Sequence, residues 1–409
     1  TASSKGMRGV CHTRPMASPS SPPSSPSSAA PPSEGTLPSE GTLPSEGTLP
    51  SEGTQSIWVV EEGLVSASEA AVLAERLPRS ALARASQDLL RGLGRAQPRA
   101  GPSHPHWPGV MQALSHLLDA TAEDLPWAAW AAQADGLQPQ PGDHWGFLST
   151  GRLHMTPQQV RLIPQESPRD AKWLAALESG LAEELAVTLH QGLSGQLYLS
   201  SAQPLELSAL HPALLQDEHL PDVLPSGEQA RAWRKASQMA CMLTYAWSSE
   251  QGYPDALWLW GVCDLRPALI RSDPLPAGAA GAPLWLEGFR RAWSEQRHQP
   301  LPRLQWRPMP SEPAPGQDMV GCWAQHWQDC LDAMAQDAAQ AARGGARDGA
   351  RDRARDGARD GAPILIASLK GAFRTWALRP VASPVWQLGL GQPLSLRDLP
   401  ALLSVPETA

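Results

Sequence analysis

Lysine is almost missing from this chain: of 409 residues only Lys5, Lys172, Lys235 and Lys370 are lysines. None is followed by Ser or Thr, so no Walker phosphate loop can be written. Gly389-Leu390-Gly391 lacks the third glycine and the acidic residue of a dinucleotide fingerprint. Gly192-Leu193-Ser194-Gly195 misses the spacing of a nucleophile elbow. With these motifs gone, no cofactor is expected. Basic charge is also short, the net charge being −8, which removes any global field for nucleic acid or an anionic membrane. No run of 18 apolar residues exists, so no membrane span is expected. Five cysteines in so long a chain do not make a disulfide framework, and a reducing cytoplasm fits best. Phe and Tyr number three each against 17 Trp. With abundant Arg, Ala, Pro and Gly, that pattern points to a GC-rich coding sequence and to tryptophans used as core aromatics.

Two low-complexity stretches frame what is left. Residues 1–55 hold a Ser/Pro/Ala run and then PSEGTL at 32–37, 38–43 and 44–49, closing with PSEGTQ. One Leu per repeat gives too little apolar surface to offset the ordering entropy, so a disordered tail is expected. A second repeat, built on ARDG, occupies 346–361. Glycine at nearly every fourth residue weakens a helix there, and 343–362 reads as a disordered insertion. The remainder, 56–409, reads as a single α/β domain, with a central mixed sheet flanked by helices and a helical N-terminal part.

Ordered sequence starts at Ile57-Trp58-Val59-Val60, followed by a capping box, Ser66 to Glu69, and a helix to about Leu77. Helices are expected near 84–93, 107–120 and 126–136, then strands at 144–148 and 151–156 either side of a turn, with 159–163 continuing. Trp173, Leu174, Leu177, Leu181 and Leu185 stripe one face of a helix over 169–186, and 187–200 reads as a hairpin. The chain's most informative stretch is 226–261. A capping box from Ser226 to Gln229 opens a helix on which Trp233, Ala236, Ala240, Leu243 and Trp247 recur at three- and four-residue steps. Its second half is apolar nearly all round, the composition of a buried helix. Arg231, Arg234 and Lys235 near its start oppose the helix dipole and call for solvent or an anionic partner. Ala256-Leu257-Trp258-Leu259-Trp260 has no polar alternate, which predicts a central strand covered on both faces. Residues 265–283 and 300–316 read as Pro-rich connectors, 284–297 as a helix or strand-helix, and 320–342 as a helix. A buried strand at 363–367 and a helix near 395–404 close the chain.

Candidates for chemistry are few. Cys322, His326 and Cys330 share a helix face, but the outer pair lie about 12 Å apart along the axis, too far for one zinc ion. No metal site is expected. Asp143-His144 and His154 are the best polar candidates for a ligand site, since His can serve as a general base or bind an anion. Arg231, Arg234 and Asp255 join them as candidate ligand-binding residues. No catalytic residue is named.

The segments PWAAWAAQADG, GDHWGFLSTGRLHM, QMACMLTYAW and PDALWLWG, in that order, resemble a family of proteobacterial proteins termed RpfE-type regulatory proteins. The resemblance covers roughly 57–270 and, more faintly, 363–404; His154 and the Trp258-Leu259-x-Gly261 frame match it. Where relatives carry Asn-Glu-x-Gln-Met this chain has Gln238-Met239-Ala240-Cys241-Met242, and Asp255-Ala256 stand in place of Asn and Ser. Leu257-Trp258-Leu259-Trp260-Gly261 is also similar to a strand of archaeal cofactor-independent phosphoglycerate mutases. That likeness implies an alkaline-phosphatase-type fold with two metals held by Asp and His. Their first ligand follows the opening strand, where this chain offers only Glu61-Glu62-Gly63. Two readings follow: a non-catalytic cytoplasmic regulator with an unidentified protein or small-molecule partner, or a divergent mutase-like protein binding a phosphorylated metabolite.

Overall fold

A computed structural model describes residues 55–77, 86–87, 89, 93, 106–156, 160–215, 223–251, 253–264, 282–310, 313, 317–345, 363–378 and 395–405. The tail over 1–54, the ARDG repeat and most of the helix expected near 84–93 lie outside the described residues.

The α/β class holds: among the described residues the strands form two main sheets, and the first is a mixed sheet flanked by helices. The first contains β1 (Ser56–Glu61), β8 (Arg303–Pro308), β9 (Ile364–Leu369) and β10 (Ala372–Ala377) in the order β10-β9-β1-β8. β1 runs parallel to both β8 and β9, and β10 runs antiparallel to β9. The second sheet is antiparallel throughout. β3 (His144–Met155) pairs with β4 (Val160–Pro164), with β6 (Leu197–Ser201) and with β7 (Ala256–Asp264), and β5 (Thr188–Gln191) pairs with β6. A short β2 (Val65–Ser66) pairs in parallel with β11 (Ser404–Val405).

Alternation along the strands sorts the core into layers. Ile57 and Val59 face one way from β1, and Trp58 and Val60 the other. The first pair meets α2 (Gly109–Leu117), α3 (Trp127–Ala134) and α6 (Leu286–Arg297), whose other side takes Phe147, Tyr198, Trp258 and Trp260 from the second sheet. Trp58 and Val60 pack with α1 (Ala67–Arg76), α7 (Met319–Gly345) and α8 (Leu399–Leu403). Leu148, Leu197, Leu199, Leu257 and Leu259 take the far face of the second sheet, under α4 (Ala171–Ala182) and α5 (Ala230–Gln251). Five layers result, helix-sheet-helix-sheet-helix. β1, β7 and β9 are covered on both faces, which is why they read as unbroken apolar runs, whereas β8 is half-buried to exposed. Trp127, Trp130, Trp173, Trp327 and Trp376 are fully buried, as core aromatics should be.

Several expectations need correction. β7 is covered on both faces but is not central: among the described residues it pairs only with β3. Helices on both sides, not lateral neighbours, explain its composition. The two strands expected at 144–156 are one: β3 runs through 149–150 in register with β7, and its register shift lies earlier, between Trp145 and Phe147. The connector at 300–316 contains β8. Ser226 caps no helix; it bridges Ser208 in antiparallel fashion, the Gln229 side chain donates to the Pro204 carbonyl, and α5 begins at Ala230. The second half of α5 is not buried all round either, since Met242, Leu243 and Tyr245 are exposed. The Ser66–Glu69 capping box of α1 does form. No helix among the described residues is long and apolar enough to cross a membrane.

Candidate functional site

The six expected ligand residues fall in three places. Asp143 and His144 stand at the start of β3 and His154 near its end, roughly 33 Å away at the usual rise of a strand. His144 is buried, opposite Ser201 of β6 and Asp264 of β7. His154 is exposed, in register with Arg161 of β4. Asp255 joins the His154 end, because its Oδ1 accepts the Leu153 amide at 2.9 Å. Arg231 and Arg234 are far from both along the chain, exposed on α5. Nothing here converges on one reacting atom.

What α5 does present is a stripe. Trp233, Ala236, Ala240 and Thr244 point into the core. Arg231, Arg234, Lys235, Gln238, Met242 and Tyr245 are all exposed, and at 3.6 residues per turn they fall within about 100° of one another. The stripe is basic at its N-terminal end and apolar at the other. Met242 is 66% exposed and Tyr245 69%. Lys235 is held by Glu184 at 2.5 Å, beyond the end of α4. Of the expected stripe, Trp233, Ala236 and Ala240 are buried, Leu243 is exposed, and the side chain of Trp247 lies outside the described residues. Sequence periodicity misses the exposed apolar residues, because an excess of hydrophobic positions reads as burial.

A second feature lies where the parallel strands end. Open α/β sheets bind ligands at the carboxyl ends of their strands, and β1 ends on Glu61 between β8 and β9. Glu62 follows with φ of 59°, turning the chain away from the sheet. Burial, and then the neighbouring Glu62 carboxylate, raise the pKa of Glu61 to about 7. An apolar strand running into two adjacent glutamates was the visible signal for this position. Between pH 4.5 and 7 the folded chain therefore holds more protons at Glu61 than the unfolded chain, so this group's contribution falls as pH rises through that window. Glu61→Gln is expected to stabilise the fold at pH 8 by about 1–2 kcal/mol, allowing for the water that reaches a half-buried carboxyl. Urea unfolding should show that gain shrink toward nothing at pH 4.5.

On α7 nearby, Cys330 Sγ lies 3.7 Å from His326 Nε2. Burial pushes the thiol up to about 12 and lowers the His326 pKa. Cys322 and Cys330 are both buried, Cys330 within the core under the first sheet, so these residues form a packed face. An alkaline-phosphatase-type centre needs several Asp and His ligands around its ions. Among the described residues no group of three His, Cys, Asp or Glu side chains could hold one. The donor set does not fit, and no metal-dependent step is derived.

The polar network that sequence reasoning missed is centred on Asp135, at the end of α3. Its buried carboxylate accepts the Ser194 amide and hydroxyl, both at 2.6 Å, and the Tyr198 hydroxyl at 3.1 Å. Beside it a polar cleft of about 530 Å³ is lined by Ser149, Thr150, Glu166, Ser167 and Arg169, among others. Arg169 is already committed, its Nη2 donating to the carbonyls of Leu193 and Ser194. Thr150 likewise donates to the Gln165 carbonyl at 2.7 Å. These groups fasten loops to one another and aim nothing at a reacting atom.

No protein-family model matches the chain, and no curated protein matches it. Solved structures that are similar in part include the following two. The cofactor-independent phosphoglycerate mutase of Thermoplasma acidophilum DSM 1728 aligns at 10% identity and a TM-score of 0.30, over 79% of this chain and 90% of that one. The PH0037 protein of Pyrococcus horikoshii aligns at 11% identity and a TM-score of 0.36, over 80% and 88%. At such values the fold rests on the strands and helices described above.

Proposed function

We propose that this chain is a non-catalytic regulatory protein that works by holding a partner, and that the outer stripe of α5 is the docking surface. The observation that carries the reading is the stripe itself: six exposed residues on one side of a helix whose other side is locked into the core. Arg, Tyr and Met are enriched at protein interfaces, and here Arg231, Arg234, Met242 and Tyr245 share one surface about 21 Å long. The basic end selects carboxylates and the apolar end a hydrophobic patch, so the partner is an amphipathic protein segment with acidic residues at one end. Arg231 and Arg234, at the unfavourable end of the helix dipole, gain most from such a partner.

A photo-cross-linking residue placed at Gln238 tests this in extract of the native cell. The expected result is one discrete protein adduct, weakened at least tenfold by Arg231→Glu with Arg234→Glu and lost at high salt. Urea unfolding of that double variant should stay within about 0.5 kcal/mol of the parent, as for other exposed substitutions. An adduct only to a second copy of the chain, or none, would overturn the reading.

A second reading, a divergent phosphoglycerate-mutase-like binder of a phosphorylated metabolite, draws on the place of Glu61 at the carboxyl end of β1. Two adjacent carboxylates repel a phosphate unless a cation intervenes, which makes this reading the weaker. Bound Mn or Zn in two equivalents, with turnover of phosphoglycerate, would reverse that order.

A further inference from the structure

β6 pairs with residues 144–148 of β3 and β4 with residues 151–155, both on the edge away from β7. Among the described residues, Ser149 and Thr150 therefore have no strand beside them on that edge. The polar cleft of about 530 Å³ opens at this break. One wall is the segment after β4, with Glu166, Ser167 and Arg169; the other is the β5–β6 turn, with Ser194 and Gln196. We propose that the cleft binds a neutral sugar, a mono- or disaccharide, through its hydroxyl groups.

The fold fixes what each wall group has left to offer. Ser149 Oγ accepts the Trp260 indole N–H at 2.9 Å, so its own proton is available to a ligand. The Thr150 hydroxyl gives its proton to the Gln165 carbonyl at 2.7 Å. Ser167 must therefore donate to Thr150 across their 2.9 Å contact, which leaves the Ser167 oxygen as an acceptor. Gln196 Nε2 donates to the Leu148 and Leu197 carbonyls at 3.1 and 2.8 Å, so Oε1 remains to accept. Arg169 reaches the Leu193 and Ser194 carbonyls through Nη2, and its Nε and Nη1 remain donors. Glu166 adds a carboxylate acceptor. Arg169 and Glu166 are exposed, and Ser149, Ser167 and Gln196 half-buried, so none is sealed from the cleft.

Donors and acceptors are thus interspersed around one space. A hydroxyl group is the ligand function that suits such a set, since it donates and accepts at one atom. Because the wall groups are held by bonds within the fold, little ordering is left for a ligand to impose. The volume lies within the range of small-molecule pockets, and Pro164 and Leu284 supply apolar surface for the C–H face of a sugar ring. Charge and shape exclude other classes. Among the described residues, Arg169 and Glu166 are the only ionisable groups in the lining. Their charges cancel, so a phosphate gains no net attraction. No aromatic side chain of the described residues lines the cleft, which leaves a nucleobase nothing to stack on.

Calorimetric titration of the full chain with glucose, galactose, mannose, maltose and trehalose tests the proposal, beside glucose 6-phosphate and glutamine. At least one neutral sugar is expected to bind with a Kd below about 1 mM, and more tightly than the sugar phosphate or the amino acid. Glu166→Ala, at an exposed position, should weaken that sugar about tenfold, as for a lost hydrogen bond to a charged group. Ser149→Ala should weaken it about fivefold, the loss of a neutral one. Glu166→Ala decides alone if Ser149→Ala, which also deprives the Trp260 N–H of its acceptor, fails to fold. Binding of none of the neutral sugars, unchanged affinity in Glu166→Ala, or preference for glucose 6-phosphate or glutamine would each overturn the inference.

Discussion

Replacing Asp135 by alanine is expected to lower folding stability by about 3–5 kcal/mol, because three donors lose a shared acceptor in a site with little access to water. Asp135 is 3% exposed. Its two oxygens receive the Ser194 amide, the Ser194 hydroxyl and the Tyr198 hydroxyl, while its carbonyl accepts the Leu193 amide at 3.1 Å. The end of α3 is thereby fastened to the β5–β6 turn, 59 residues away. Burial and then the Asp135 charge raise the Tyr198 pKa, so the phenol stays protonated and donating. Asp135→Asn should cost less, about 1–2 kcal/mol, since both hydroxyls can rotate to accept from the new amide. Gly192 leaves room for the arrangement: a Cβ there would fall inside the contact radius of Asp135 Oδ2. Gly192→Ala is therefore expected to be harmful in the parent and milder beside Asp135→Ala, a non-additivity that marks direct contact. Urea unfolding of the four-member cycle measures it. A loss below 1 kcal/mol for Asp135→Ala would mean that water replaces the carboxylate.

The comparison with the sequence follows from how local each signal is. The capping box at Ser66, the apolar stripe of α4 and the hairpin of β5 and β6 are set within a few residues, and they fold as read. β8 was hidden by Pro302 and Pro308 and by its two arginines. As an edge strand that among the described residues pairs only with β1, in parallel, it tolerates prolines at its margins. β3 looked broken at Gly151, but that glycine lies flat in the strand, where a Cβ would press on the Ile163 backbone of β4. Ser226 has the spacing of a cap and is taken by Ser208 instead, a competition between partners that no local pattern records. The candidate site was less legible than the fold for the same reason. Arg231 and Arg234 were found as unexplained cations, but the exposure of Met242 and Tyr245 depends on where α5 meets α4 and the second sheet. Asp135 gave no local signal, because each of its side-chain partners comes from a distant turn or strand.

Lowering the pH below 6.5 should destabilise this fold through His211, and His211→Asn should remove much of that sensitivity. The His211 Nδ1 accepts the Ala213 amide at 3.1 Å, capping a short 3-10 turn, and the ring lies edge-on to Trp260 with centroids 4.1 Å apart. Burial lowers its pKa to about 3, and protonation would remove the lone pair that the Ala213 amide needs. Between pH 6.5 and 3 the unfolded chain binds a proton that the folded chain refuses, so stability falls with pH in that window. By pH 4.5 the ideal loss relative to neutral and higher pH is about 2.7 kcal/mol, and about 2 kcal/mol is expected for a ring only partly sealed from water. Asn is a good capping acceptor with no titration in this range. At pH 7.5 His211→Asn should cost about 1 kcal/mol for the lost aromatic contact; by pH 4.5 that deficit should vanish or reverse. Glu61 works against His211 between pH 4.5 and 6.5, where its protonation favours the fold. The parent's slope there is consequently shallower than either residue alone would give, and Glu61→Gln should steepen it. If Glu61→Gln leaves the slope unchanged while His211→Asn flattens it, the Glu61 carboxyl is already ionised in the fold, and His211 alone sets the acid limb.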